Sequence, residues 1–175
     1  MQIPFVDVKL AAFLTAIQNP FLNYFFATAT YSAGYLIVIL VSILSIGAFA
    51  LHRHKSRIFP FIITLLGTTA TIYILKIIFD LERPARAMYV EGTPSFPSGH
   101  SGTAMALYGF LILTTWKHDK HHLKNPLIIF LSLLIIAVGI SRLYLGVHYF
   151  ADVLAGYTTG LVWLYVGNKI GKKAI

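Results

Sequence analysis

Five stretches of this chain are almost free of charge: Tyr31 to Leu51, Ile58 to Leu75, Ser101 to Trp116, Pro126 to Ile140 and, interrupted by Asp152, Tyr149 to Val166. A helix needs about 20 residues to cross a hydrocarbon core of roughly 30 Å, with roughly 17 as the lower limit unless flanking residues help. The expectation is therefore an all-α polytopic membrane helix bundle with five transmembrane helices, two of them short. Composition agrees, since 57% of the 175 residues are hydrophobic and only 11% charged, against roughly 25% charged in soluble domains.

Ahead of these runs, Phe5 to Ile17 is apolar but carries Asp7, Lys9 and Thr15, and Asn19-Pro20 breaks it before a second apolar piece, Phe21 to Ala29. Residues 1–29 read as a helical segment lying at the membrane interface. The alternative is a sixth, broken span. Residues 30–168 then form the transmembrane core of a single domain covering 1–175. Met1 to Lys9 lacks the basic start of a secretory signal, so a cleaved leader is not expected.

The absence of cysteine excludes disulfides, thiolate catalysis and Cys-based metal sites. The net charge of +8 does not point to nucleic acid, because the basic residues outside the motifs below cluster between apolar runs, a pattern that orients membrane proteins. The clusters at 52–57, 116–124 and 169–173 fall on one face if five spans alternate, so that face is expected to be cytoplasmic. The long loop from Phe79 to Phe96 and the short one around Gly146 fall on the other.

That second face receives all the remaining chemistry. Lys76 and Arg83-Pro84 come at the end of the second span, Pro97-Ser98-Gly99-His100 at the start of the third, Ser141-Arg142 at the end of the fourth, and His148 with Asp152 at the start of the fifth. Charge at a membrane edge is expensive and is usually kept for function. Three cations and two histidines suit a phosphate: guanidinium binds its oxygens bidentately and ammonium supplies a point charge, although basic side chains at helix ends also snorkel with no further role.

His148 and Asp152, four apart, would share a helix face, with the carboxylate holding one ring nitrogen and the other left free as nucleophile or general base. A purely structural His–Asp pair is the competing reading. Ser98 can cap the third span, with outward amides at the helix start offering a phosphate site. His100 beside it could donate a proton to a leaving oxygen. Gly156 and Gly160 form a small-residue face suited to dimerisation or to internal packing.

Together the blocks Lys-x6-Arg-Pro, Pro-Ser-Gly-His and Ser-Arg-x5-His-x3-Asp resemble the type 2 phosphatidic acid phosphatase superfamily of lipid phosphate phosphatases and vanadium haloperoxidases, in order and in spacing, from roughly Leu75 to Gly156. The resemblance implies that His148 attacks phosphorus to give a phosphohistidine, that Asp152 orients it, and that His100 protonates the leaving group and then activates water. It gives Lys76, Arg83, Ser98, Gly99 and Arg142 to the phosphate and implies no metal and no cofactor. Two departures stand out: many bacterial members have six spans, and many carry a basic residue directly after Arg-Pro, where this chain has Ala85 and then Arg86.

The function expected on these grounds is a metal-independent phosphatase of the cell membrane, its site on the non-cytoplasmic face. Its partners would be the bilayer and a lipid phosphate or diphosphate such as undecaprenyl diphosphate, phosphatidylglycerophosphate or phosphatidic acid. Glu82, Arg86, Tyr89 and Glu91 are candidate headgroup contacts. A lipid phosphotransferase would use the same intermediate. A non-catalytic binder of anionic lipids would need the cations but give no task to His148 and Asp152, and the membrane frame argues against a haloperoxidase. The oligomeric state is left open by the sequence.

Overall fold

The computed structural model describes residues 5–52, 54–118 and 123–173. Within them the chain forms seven helices and no strand: α1 (Phe5–Ala16), α2 (Pro20–Tyr31), α3 (Tyr35–Leu51), α4 (Ile58–Phe79), α5 (Gly99–His118), α6 (Lys124–Tyr144) and α7 (Phe150–Lys173). The ends follow from local chemistry. Asn19 caps α2 by accepting from the Leu22 amide, with Pro20 in the first turn, where its missing N–H is no loss. Asp80, in the left-handed region at φ 39°, ends α4. The basic turn Lys55–Arg57 precedes α4.

Among the described residues, only α4 with its preceding turn (Lys55–Phe79) and α6 are, taken singly, long and apolar enough to cross a membrane, while α2 and α3, bent by 49° at the break between them, meet that standard as a pair. Five independently apolar spans were expected. The reason for the difference is visible in α5, where Ser101, Gly102, Ala104 and every residue from Ala106 to Phe110 are buried. Enclosed by protein rather than lipid, α5 need not be apolar throughout, and α4, α6 and α7 pack around it.

The helix α6 has two apolar faces. Leu131, Ile135, Val138 and Arg142 form a buried stripe at helical spacing, while Ile129, Leu133, Ile136 and Ile140 are exposed on another face. A helix apolar on all sides needs lipid or more protein around it. The aromatic cluster of Phe49, Phe61 and Phe110, with ring centroids 5.2–6.3 Å apart, fills the bundle toward the end where α3 gives way to α4. At the opposite end α4 runs into α5, and α6 into α7, through the segments that carry the motifs.

Gly156 and Gly160 serve internal packing. A Cβ on Gly156 would stand 2.4 Å from the Ser98 carbonyl oxygen, and one on Gly160 2.6 Å from that of Gly102. This close crossing brings the start of α5 against the start of α7. Gly156→Val is therefore expected to lower the thermal unfolding midpoint in detergent, by an amount corresponding to about 1–3 kcal/mol. Gly47→Ala, where an added Cβ meets nothing within 4 Å, should leave it unchanged or slightly raised.

Candidate active site

The start of α7 organises the site. The amide of Tyr149 donates to Asp152 Oδ2 at 2.9 Å, so the carboxylate three residues into the turn closes back on the residue before the helix, in the manner of a capping box. A second carboxylate joins from a distance in sequence: the Phe150 amide donates to Asp7 Oδ1 at 2.8 Å. Asp7, on α1, is buried. Two carboxylates at a helix N-terminus are favoured by the free amides and the helix dipole.

His148 lies in the turn before α7, so it and Asp152 do not share a helix face as the spacing suggested. They meet through the cap. The ring Nδ1 is 3.2 Å from Asp152 Oδ2, which also accepts from Ser95 Oγ. On the other side, Arg83 Nη1 stands 3.2 Å from His148 Nε2. A guanidinium only donates, so Nε2 must offer its lone pair and the proton must sit on Nδ1, where Asp152 accepts it. The tautomer follows from this pair of neighbours. Burial, with the charges of Arg142 and Arg83, outweighs the Asp152 hydrogen bond and pushes the imidazole down to about 4, so it is neutral at ordinary pH.

The cations are held by the segment between α4 and α5. Arg83 donates from Nε to the Thr93 carbonyl at 2.7 Å and from Nη1 to that of Val147 at 2.9 Å. Lys76, buried at the end of α4, donates to the carbonyl oxygens of Pro94 and Ser95. Arg142, at the end of α6, is fully buried. It bonds Thr30 Oγ1 on α2 at 2.7 Å, the hydroxyl of Tyr89 and the carboxylate of Glu91, and its Nε has no partner among the described residues. Glu91 also pairs with Arg83 at 2.7 Å. Burial alone would raise the Glu91 carboxyl, but the charge and hydrogen bond of Arg142 and the charge of Arg83 overcome it and hold it at about 2.

Ser98 is buried and caps α5, with its Oγ 3.0 Å from Ser101 Oγ. Its amide is not free, as the motif suggested, but donates to the Asp152 main-chain carbonyl at 3.0 Å. Gly99 and His100 are the first residues of α5, and amides in that position have no helical carbonyl to bond. His100 lies near Arg142, Glu91, His148 and Arg83. With Glu91 and Tyr89 it lines a groove of about 800 Å³ that also takes in Ala27, Tyr31 and Leu36.

All eight residues singled out by the motifs thus come together at one end of the bundle. Of the candidate headgroup contacts, Tyr89 and Glu91 face Arg142, Arg86 Nη1 turns to Thr15 Oγ1 on α1 at 3.4 Å, and Glu82 is exposed. Three supporting residues were missed. Asp7 had a signal, a lone acid in an apolar segment, but Ser95 and Thr30 had none. Gly146 also has a task, since its φ of 68° and the Arg86 carbonyl 2.8 Å from where a Cβ would stand demand glycine in the turn that delivers His148.

A helical membrane bundle with a buried imidazole–carboxylate pair and clustered guanidinium groups at one end is the framework of a phosphoryl-transfer enzyme. The chain belongs to the PAP2 superfamily, whose profile matches residues 57–175. It is 30% identical over 174 residues to phosphatidylglycerophosphatase B of Bacillus subtilis (strain 168), covering 95% of this chain and 84% of that one. The crystal structure of the transmembrane PAP2-type phosphatidylglycerolphosphate phosphatase from Bacillus subtilis superposes with a TM-score of 0.85 at 27% identity, over 96% of this chain and 85% of that one. Aquifex aeolicus LpxE shares the fold, with a TM-score of 0.78 at 22% identity over 97% and 98% of the two chains.

The depressed His148 value makes a stability prediction. An unfolded histidine titrates near 6.5, so between that value and about 4 the unfolded chain binds the proton and the folded one does not. Stability should be at its full value above about 6.5 and fall as pH drops toward 4. Unfolding midpoints of wild type and His148→Gln at pH 7 and pH 4.5 check this. The variant is expected to lose less on acidification.

Proposed function

We propose that the protein is a metal-independent lipid phosphatase that removes a terminal phosphate from a lipid monoester or diphosphate through a phosphohistidine on His148. The observation that carries this reading is the pair of hydrogen bonds on the ring: Nδ1–H toward Asp152 Oδ2 and the Nε2 lone pair toward Arg83. An imidazole so held is neutral and aimed into the cation cluster, as a nucleophile toward phosphorus must be.

In this mechanism Nε2 attacks phosphorus, the P–O bond to the leaving group breaks, and Asp152 stabilises the charge that develops on the ring. His100 gives its proton to the departing oxygen, then takes one from the water that cleaves the P–N bond and releases phosphate. Lys76, Arg83, Arg142, Ser98 and the Gly99 amide neutralise and orient the phosphoryl oxygens, a task for which fixed donors need little reorganisation. The same enzyme passes through one covalent state, so hydrolysis and transfer to another acceptor differ only in what attacks second.

The lipid nature of the substrate is supported by the groove lined by His100 and Glu91 together with residues of α2 and α3, where apolar chains can lie while the headgroup reaches the cations. Five spans, with α5 enclosed in the bundle, would put the site at headgroup depth on the non-cytoplasmic face. Phosphatidylglycerophosphate is favoured by the activity for which the Bacillus subtilis relative and the Bacillus subtilis crystal structure are named. Undecaprenyl diphosphate and phosphatidic acid offer the same terminal phosphate.

The test is phosphate release from these three lipids by protein in detergent with a chelator present. Release should persist with chelator, and His148→Ala should reduce it by about 10³-fold or more. Chelator-sensitive release, or activity retained in the variant, would contradict the proposal.

A further inference from the structure

The two arginines expected to hold phosphate are already occupied. Glu91 places Oε2 on Arg83 Nη2 at 2.7 Å and Oε1 on Arg142 Nη2, so one carboxylate bridges guanidinium groups that come from two different parts of the chain. A phosphoryl group has more oxygens than a carboxylate, and Arg142 retains a buried donor, Nε, that Glu91 does not reach and no described residue satisfies. The cluster is therefore built for an anion larger than the one present.

Glu91 is also placed to leave. It belongs to the irregular segment between α4 and α5, where its neighbour Val90 is 97% exposed. Gly92, on the other side, is exposed and has open space around it. Moving this stretch outward uncovers little apolar surface. The carboxylate cannot stay where it is once phosphate arrives, because two anions would compete for the same donors at contact distance.

We infer that Glu91 is a built-in competing anion: it stands on Arg83 and Arg142 in the unliganded protein and is displaced by the phosphoryl group of the substrate. This deepens the reading of the site as a phosphate site and rests on it. With Glu91 in place the cations do not repel one another unpaired inside the bundle. The functional consequence is a uniform weakening of anion binding. If the arginines are uncovered in only a fraction of molecules, every anion binds more weakly by the inverse of that fraction. A membrane is crowded with phosphodiester headgroups, each carrying one negative charge on phosphate. Lowering all affinities together leaves the site empty of these, while a dianionic monoester, with its larger intrinsic attraction, still enters.

The alternative role for Glu91 is to orient the arginines and remain beside them when phosphate is bound, and it predicts the opposite sign. The experiment is titration calorimetry of the full chain in detergent with inorganic phosphate and with dimethyl phosphate, comparing wild type, Glu91→Gln and Glu91→Asp, with an unfolding midpoint for each. Glu91→Gln should bind both anions more tightly by a common factor of about tenfold, and Glu91→Asp, too short to bridge both arginines, should shift the same way by less. Weaker phosphate binding in a folded variant overturns the inference and makes Glu91 a positioning residue. So does failure of both variants to fold, which would make the bridge a structural support. If neither wild type nor variant binds phosphate, the phosphate-site reading falls and the inference with it.

Discussion

One carboxylate, that of Asp152, ties together the segments from which the site is made. Its Oδ2 accepts from the Tyr149 amide, from Ser95 and from the His148 ring, and its own carbonyl accepts from the Ser98 amide. The start of α7, the approach to α5 and the turn after α6 are thereby fixed to one another. The same oxygen caps a helix and sets a tautomer, so the orientation of the His148 ring is a by-product of how the helix begins. Close packing makes this possible, because only glycine at Gly156 lets α7 approach α5 near enough for the Asp152 and Ser98 backbones to meet.

The second constraint is electrostatic. Burying a guanidinium is costly unless its donors are met, and Arg142 is wholly buried. It is held by Thr30 from α2, by Tyr89 and Glu91 from the segment before α5, and by its own place at the end of the buried stripe of α6. The segment from Asp80 to Ser98 therefore does more than connect helices. It supplies the carbonyls for Lys76 and Arg83, the serine for Asp152 and the counter-ion for two arginines. The helices α1 and α2 precede residues 57–175, the part matched by the family profile, yet they reach the site through Asp7 and Thr30.

Much of this was legible beforehand. Alternation of apolar runs, with the positive clusters on one side, was enough to send Lys76, Arg83, His100, Arg142, His148 and Asp152 to one end, and their spacing carried the resemblance to the family. What sequence could not supply was the geometry of irregular backbone. The four-residue spacing of His148 and Asp152 suggested a helix face, whereas Gly146 and Tyr149 make a turn that achieves the same meeting through a cap. Hydropathy counted α5 and α7 as spans like the others, but Ser101, Gly102 and Ala104 of α5 are buried in the bundle and Gly156, Gly160 and Gly167 of α7 pack against protein. Thr30 and Ser95 are ordinary residues in ordinary context, and only tertiary contact distinguishes them.

The central claim is that His148 Nε2 is the atom that attacks phosphorus, and the direct measurement is the identity of the covalent intermediate. Rapid quenching at alkaline pH during turnover of a lipid phosphate, followed by phosphorus NMR and peptide mapping, should reveal an acid-labile phosphoramidate on His148 at the nitrogen remote from Asp152. A phosphoryl group on Nδ1, on His100 or on a carboxylate, or turnover with no trapped adduct, would contradict the account.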